Sequence, residues 1–207
     1  MNSEPFDSGA FAAVPTERHP LEPFLPAGAR VLMLGSFPPP HARWSMEFYY
    51  PNFINDMWRI VGLVFFGNKE YFIKAGERRF DRERIVDFCT ERGIALYDTA
   101  TAVRRLKENA ADKFLEVVEP TDVAALLRRI PDCQSVVVTG EKAAETVMTS
   151  LGKHAGTYPR VGEYIEFDFE GRAMRLWRMP SSSRAYPLAI EKKAEHYARI
   201  FAFIGTI

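Results

Sequence analysis

"VLMLGSFPPPHARWSMEFYYPNFINDMW", residues 31–58, carries the reading of this chain. Residues 30–34 form an apolar run without alternation, bounded by Gly28 and Gly35. That pattern fits a central strand of a parallel sheet, covered on both faces. Ser36-Phe37-Pro38-Pro39-Pro40 then breaks regular structure and stiffens the chain. Phe48, Tyr49 and Tyr50 follow side by side, and a helical spacing begins at Asn55. Three adjacent rings beyond a strand end suit either a wall for a flat ligand or core packing. Pattern alone leaves both open.

The same grammar recurs outward from this stretch. Met57, Trp58, Ile60, Val61 and Val64 recur at helical spacing before Gly67, and Ile85, Val86, Phe88 and Cys89 before Gly93. Residues 94–97 read as a short second strand, and Pro120-Thr121-Asp122 opens a helix carrying Val123, Leu126 and Leu127. Residues 135–139 form a third buried strand feeding a helix over 142–151. Residues 164–169 and 173–179 flank Glu170-Gly171 as a hairpin whose second arm is a fourth buried strand, and residues 188–203 close the chain as a helix. Alternating helices and buried strands predict an α/β fold: a three-layer α/β/α sandwich around a mainly parallel sheet. Residues 1–27, rich in Pro, Gly and Ala, read as an irregular N-terminal arm, and 28–207 as a single domain.

Composition narrows the function classes only coarsely. The chain has 207 residues, 27 basic and 27 acidic, so its formal net charge is zero. Neutral balance neither marks a nucleic-acid binder nor excludes one, because phosphate contact needs a local basic face. No apolar run reaches the roughly 18 residues of a membrane helix, and the N-terminus lacks a basic n-region. Cys89 and Cys133 have no metal-ligand spacing and are expected to be reduced and structural, which fits a cytoplasmic protein without a metal site. Dinucleotide, P-loop and nucleophile-elbow motifs are absent.

Two loops leave the carboxyl ends of predicted strands with unusual chemistry: residues 35–51 and "MPSSSRAYP", residues 179–187. In open α/β sheets ligands bind at such ends. Ser181, Ser182 and Ser183 bring small hydroxyls and backbone N–H groups, and Arg184 adds a forked cation, a donor set suited to phosphate. The plainer reading of the serines is turn and cap chemistry. Asn55, at a helix start, likewise reads first as an N-cap.

The order "HPLEPFLPAGARVLMLGSFPP", "EFYYPNFINDMWRI", "GIALYD", "PTDV", "VVVTGEKAAE" and "MPSSSRA" resembles the motif order of the uracil-DNA glycosylase superfamily. It is most similar to the hypoxanthine-DNA (deoxyinosine) glycosylase branch, over residues 19–203. The resemblance implies a central four-stranded, mainly parallel sheet and a DNA substrate whose damaged nucleotide is flipped into a pocket at the strand ends. It implies a base-binding wall of Gly35, Ser36, Phe37, Pro38, Tyr49, Tyr50 and Phe53. It implies phosphate contacts from Ser181, Ser182, Ser183 and Arg184, with Lys192 and Lys193 nearby. Asn55 is the first candidate for the catalytic group, followed by Asp98, with Asn52 and Asp112 behind. No metal, cofactor or membrane is implied, and a monomer is expected. The chain departs from the pattern at Phe37, where many relatives keep a water-handling Asn, Asp or Glu, at Thr121, where the branch carries an amide, and at Met179. These departures keep two alternatives open: a nucleobase- or DNA-binding member without turnover, and a nucleoside- or nucleotide-acting enzyme.

Overall fold

The computed structural model describes residues 14–107, 114–151 and 158–205. Three strands, β2 (Val31–Gly35), β3 (Ile94–Asp98) and β6 (Ser135–Thr139), are buried at every position. A strand with no exposed residue needs cover on both faces, and its uninterrupted apolar run supplies the driving force. The main sheet runs β3-β2-β6-β8-β7, where β8 is Arg172–Met179 and β7 is Tyr164–Phe169. β2 pairs in parallel with both β3 and β6, and β6 in parallel with β8. The sheet therefore has five strands rather than the expected four. The fifth, β7, pairs antiparallel with β8 at the edge, because Glu170 and Gly171 turn the chain back with positive φ angles of 52° and 79°. Its alternation of exposed and half-buried residues is that of an edge strand with one wet face.

Among the described residues, five α-helices connect and cover these strands: α1 (Met57–Phe66), α2 (Arg82–Arg92), α3 (Val123–Arg129), α4 (Glu141–Ser150) and α5 (Ile190–Phe203). α2 starts where the Asp81 carboxylate accepts the Arg84 N–H, and ends at Gly93 with φ of 65°. α3 is capped in the same way by Asp122, which accepts the Ala125 N–H. No helix among the described residues is long and apolar enough to cross a membrane.

The stretch between β3 and α3 builds a second sheet that the sequence pattern does not announce. β4 (Ala100–Arg105) lies between β1 (Thr16–Arg18) and β5 (Leu115–Pro120), antiparallel to both. Its strands are half-wet and tied by cross-strand ion pairs, Arg18 with Glu119, Arg105 with Glu17 and Arg104 with Glu116. Under it sits a small core of Phe37, Ala100, Val103 and Leu115. The segment expected as an irregular arm thus contributes strand β1. It also adds a bridge between Phe24 and Leu96 alongside β3, and it brings His19 onto the main domain through a backbone bond to the Thr101 carbonyl.

Cys89 and Cys133 are free and buried. Burial pushes both thiols up, that of Cys133 to about 11. In thiol titration at neutral pH the native protein is expected to leave both unmodified until denaturant unfolds it; rapid labelling of either in the folded state would contradict this packing.

Candidate active site at the strand ends

The strand order fixes where a ligand can enter. From β2 the chain crosses to β3 on one side, and later to β6 and β8 on the other. The switch point therefore lies between β2 and β6, where two neighbouring connections diverge and leave a crevice at the carboxyl ends. Gly35 ends β2 there, Asp98 ends β3 in register beside it, and Thr139 ends β6.

Gly35 leaves room for a neighbouring side chain. A Cβ there would overlap Oδ1 of Asp98, so the carboxylate occupies the space of the missing side chain. Tyr50 closes the crevice from above. Its backbone is in the left-handed region, with φ of 51°, uncommon for a bulky residue and a mark of a position held by its surroundings. Its hydroxyl is hydrogen-bonded to that of Thr139 at 3.1 Å, and the Thr139 hydroxyl also lies 3.4 Å from the Leu34 carbonyl. The same hydroxyl lies 3.7 Å from where a Gly35 Cβ would be.

Asp98 is anchored by His19. Nε2 of His19 lies 2.9 Å from Asp98 Oδ2, with both side chains buried. His19 Nδ1 lies 2.9 Å from the Leu21 carbonyl oxygen and 3.1 Å from the Leu21 N–H, so the ring is held from both sides. Phe37, Tyr97 and Tyr49 surround the imidazole, with centroids 5.4, 4.7 and 6.2 Å away. Thr121, where the resemblance expects an amide, donates its hydroxyl to the Asp98 carbonyl at 2.7 Å and so ties down the end of β3. His19 lies 79 residues from Asp98. Its only trace in the sequence is its place at the head of the first matching stretch.

The serine loop meets the crevice from β8. A Cβ on Gly140 would sit 3.7 Å from that of Ser181, an approach that goes with the positive φ of 112° at Gly140. The Ser181 hydroxyl oxygen accepts the Ser183 N–H and the Ser183 hydroxyl oxygen accepts the Ala185 N–H, so two of the three serines shape their own loop. Ser182 is buried, and its carbonyl accepts the Asp56 N–H at 2.9 Å. That bond joins the loop to the start of α1. The helix behind the loop begins only at Ile190, so its free N–H groups are set apart from the serines.

The remaining candidates divide between site and core. Phe37 and Tyr49, expected in the base-binding wall, have their rings covered. Phe37 packs into the small core under β4, because the bend at residues 36–40 turns it there. Tyr49 donates its hydroxyl to the Glu22 carbonyl, and burial, followed by the charge of Asp98, raises its pKa. Pro38 is also buried, its carbonyl accepting from Arg105, while Ser36 is half-buried with its carbonyl accepting from Thr99. Phe53 is held between the Arg59 guanidinium, 4.6 Å from its centroid, and Phe80. Tyr50 remains as the ring at the crevice. Asn55 accepts the Met57 N–H through Oδ1 at 2.9 Å, an Asx turn one residue ahead of Asp56, which holds the N-cap position in place of the expected Asn55. Asn52 does the same for the Ile54 N–H. Asp112 lies outside the described residues. Lys192 is exposed and paired with Glu195, whereas Lys193 is buried against Asp56.

No protein-family model and no curated protein matches the chain. Among solved structures it is similar to the solution NMR structure of a "putative Uracil DNA glycosylase" from Methanosarcina acetivorans, with a TM-score of 0.59 and 21% identity over 92% of this chain and 99% of that one. At that identity the likeness establishes the fold alone, an α/β architecture shared with that structure.

Because Asp98 Oδ1 fills the space above Gly35, Gly35→Ala is expected to cost roughly 1–3 kcal/mol, the range of overpacking changes in a dense core. Chemical denaturation measures this. Adding Asp98→Ala to the same chain is expected to cost less than the sum of the two single changes, and strict additivity would refute the contact.

Proposed function

We propose that the protein is a monofunctional DNA glycosylase, acting as a monomer, that hydrolyses the N-glycosidic bond of a deaminated base, hypoxanthine or uracil, flipped out of DNA. The observation that carries this reading is the Asp98 carboxylate, held by His19 and set over Gly35 at the switch point of a glycosylase-type fold. The ordered motifs of the sequence support the same class.

Breaking the bond makes the sugar cation-like and the departing base anion-like. A carboxylate near the sugar answers the first charge, and N–H donors answer the second. In this reading the nucleotide enters the crevice between β2 and β6 with its base against Tyr50, and the backbone N–H groups after Gly35 face the base. Asp98 Oδ1 accepts a proton from water as the water oxygen bonds to the anomeric carbon and the base leaves with the bonding electrons. His19 holds Oδ2, so one carboxylate oxygen is fixed and the other is left for water. This shifts the catalytic assignment from Asn55, whose amide oxygen is taken up by the Met57 N–H, to Asp98. Ser181, Ser182, Ser183 and Arg184 lie along the flanking phosphates.

Incubation with duplex oligonucleotides carrying uracil, hypoxanthine or xanthine, followed by alkali and gel analysis, tests the proposal. At least one substrate is expected to yield an abasic product. Asp98→Asn is expected to slow the single-turnover rate by about 10²–10⁴ while leaving DNA affinity intact, and Asn55→Ala to act mainly on stability, by about 1 kcal/mol. No product from any duplex at high enzyme would defeat the proposal. One observation favours the alternative of a binder without turnover: Phe37, buried under β4, puts no polar group two residues beyond the glycine. Its signature would be tight binding of an abasic-site duplex with no cleavage of any base.

A further inference from the structure

Asp56 is a buried carboxylate shared by two cations. Oδ2 receives Lys193 Nζ at 3.0 Å, and Oδ1 faces Arg184 Nη2 and Nε at 3.3 and 3.4 Å. The Lys193 and Asp56 side chains are 1% and 9% exposed, whereas that of Arg184 is 55% exposed. Lys193 also donates to the Ser183 carbonyl at 2.8 Å. One carboxylate thus faces two cations, and the surplus positive charge sits at the solvent end. The contacts to Arg184 are long beside the usual 2.7–2.9 Å of a charge-assisted bond. A third cation, Arg59, stands close: its pKa is lowered first by its burial and next by the charge of Arg184.

We infer that Lys193 is a positioning residue that makes Arg184 available to DNA phosphate. By neutralising Asp56 from the inside, it leaves Arg184 loosely held at the surface of the serine loop. The inference rests on the DNA reading proposed above and adds a role for a lysine that never reaches solvent. Without Lys193, Asp56 keeps Arg184 as its hydrogen-bonded ion-pair partner, and the guanidinium is drawn in and lost to phosphate. The placement follows from α5, where Lys193 shares the buried stripe of Ala194, Tyr197, Ile200 and Phe201.

The salt dependence of binding separates this role from a structural one. Fluorescence anisotropy of a duplex bearing one tetrahydrofuran abasic-site analogue gives the slope of log K against log salt for each variant. Arg184→Ala is expected to reduce the magnitude of that slope by about 0.9, the equivalent of one phosphate contact. Lys193→Met is expected to reduce it equally, and to add nothing in the Arg184→Ala background. The double variant Asp56→Asn/Lys193→Met removes both buried charges, frees Arg184 and is expected to restore the parental slope. It also serves as the deciding variant where Lys193→Met alone does not fold, since replacing a whole buried pair is tolerated better than breaking one. A parental slope for Lys193→Met, or a reduced slope for the double variant, would overturn the inference and leave the DNA reading standing. Absence of salt-dependent binding by the unmodified protein would remove both.

Discussion

One oxygen of Asp98 occupies the space where a side chain at Gly35 would stand. Much of the site depends on that exclusion. It sets a glycine at the end of β2, where Gly35 and Asp98 stand in register as the last residues of β2 and β3, and puts a carboxylate oxygen over that glycine. The carboxylate keeps its place because His19 holds the other oxygen and Thr121 holds the carbonyl. Each of these groups comes from a different part of the chain. The crevice is therefore a product of the closed fold and not of any one segment.

A second joint sits across the crevice. Asp56 joins the start of α1 to the serine loop through its N–H, and to α5 through its carboxylate. A buried ion pair is weak evidence for stability, because desolvation offsets much of its attraction. Its value here is geometric: it fixes where the loop lies and which of two cations is left outside. Both joints use a buried carboxylate with one oxygen anchored and the other turned toward the site or its rim.

Legibility in the sequence follows burial. β2, β3 and β6 were readable because strands covered on both faces are apolar throughout, and the helices because one face repeats every three to four residues. The sheet of β1, β4 and β5 was not, because its short half-wet strands carry neither a continuous apolar run nor a clean alternation, and a strand of that kind is defined by its partner. The site shows the same division. Gly35, Tyr50 and the serine loop stood out as punctuation and rings. Which ring faces the crevice did not: Phe37 and Tyr49 are enclosed by packing, and Tyr50 is turned out by a backbone angle that no local pattern displays. Lys193 left a readable sign, a lysine in the buried stripe of an otherwise apolar helix face.

By itself the sequence determined the α/β class, the parallel core and the two loops at strand ends, because apolar periodicity, glycine and proline act over a few neighbouring residues. Only the tertiary structure decided the antiparallel fifth strand, the second sheet, the partnership of His19 with Asp98 across 79 residues, and the meeting of Lys193 and Arg184 on one carboxylate. The physical reason is range. Periodicity is written in adjacent residues, whereas a buried charge takes whatever partner the closed chain brings within about 3 Å.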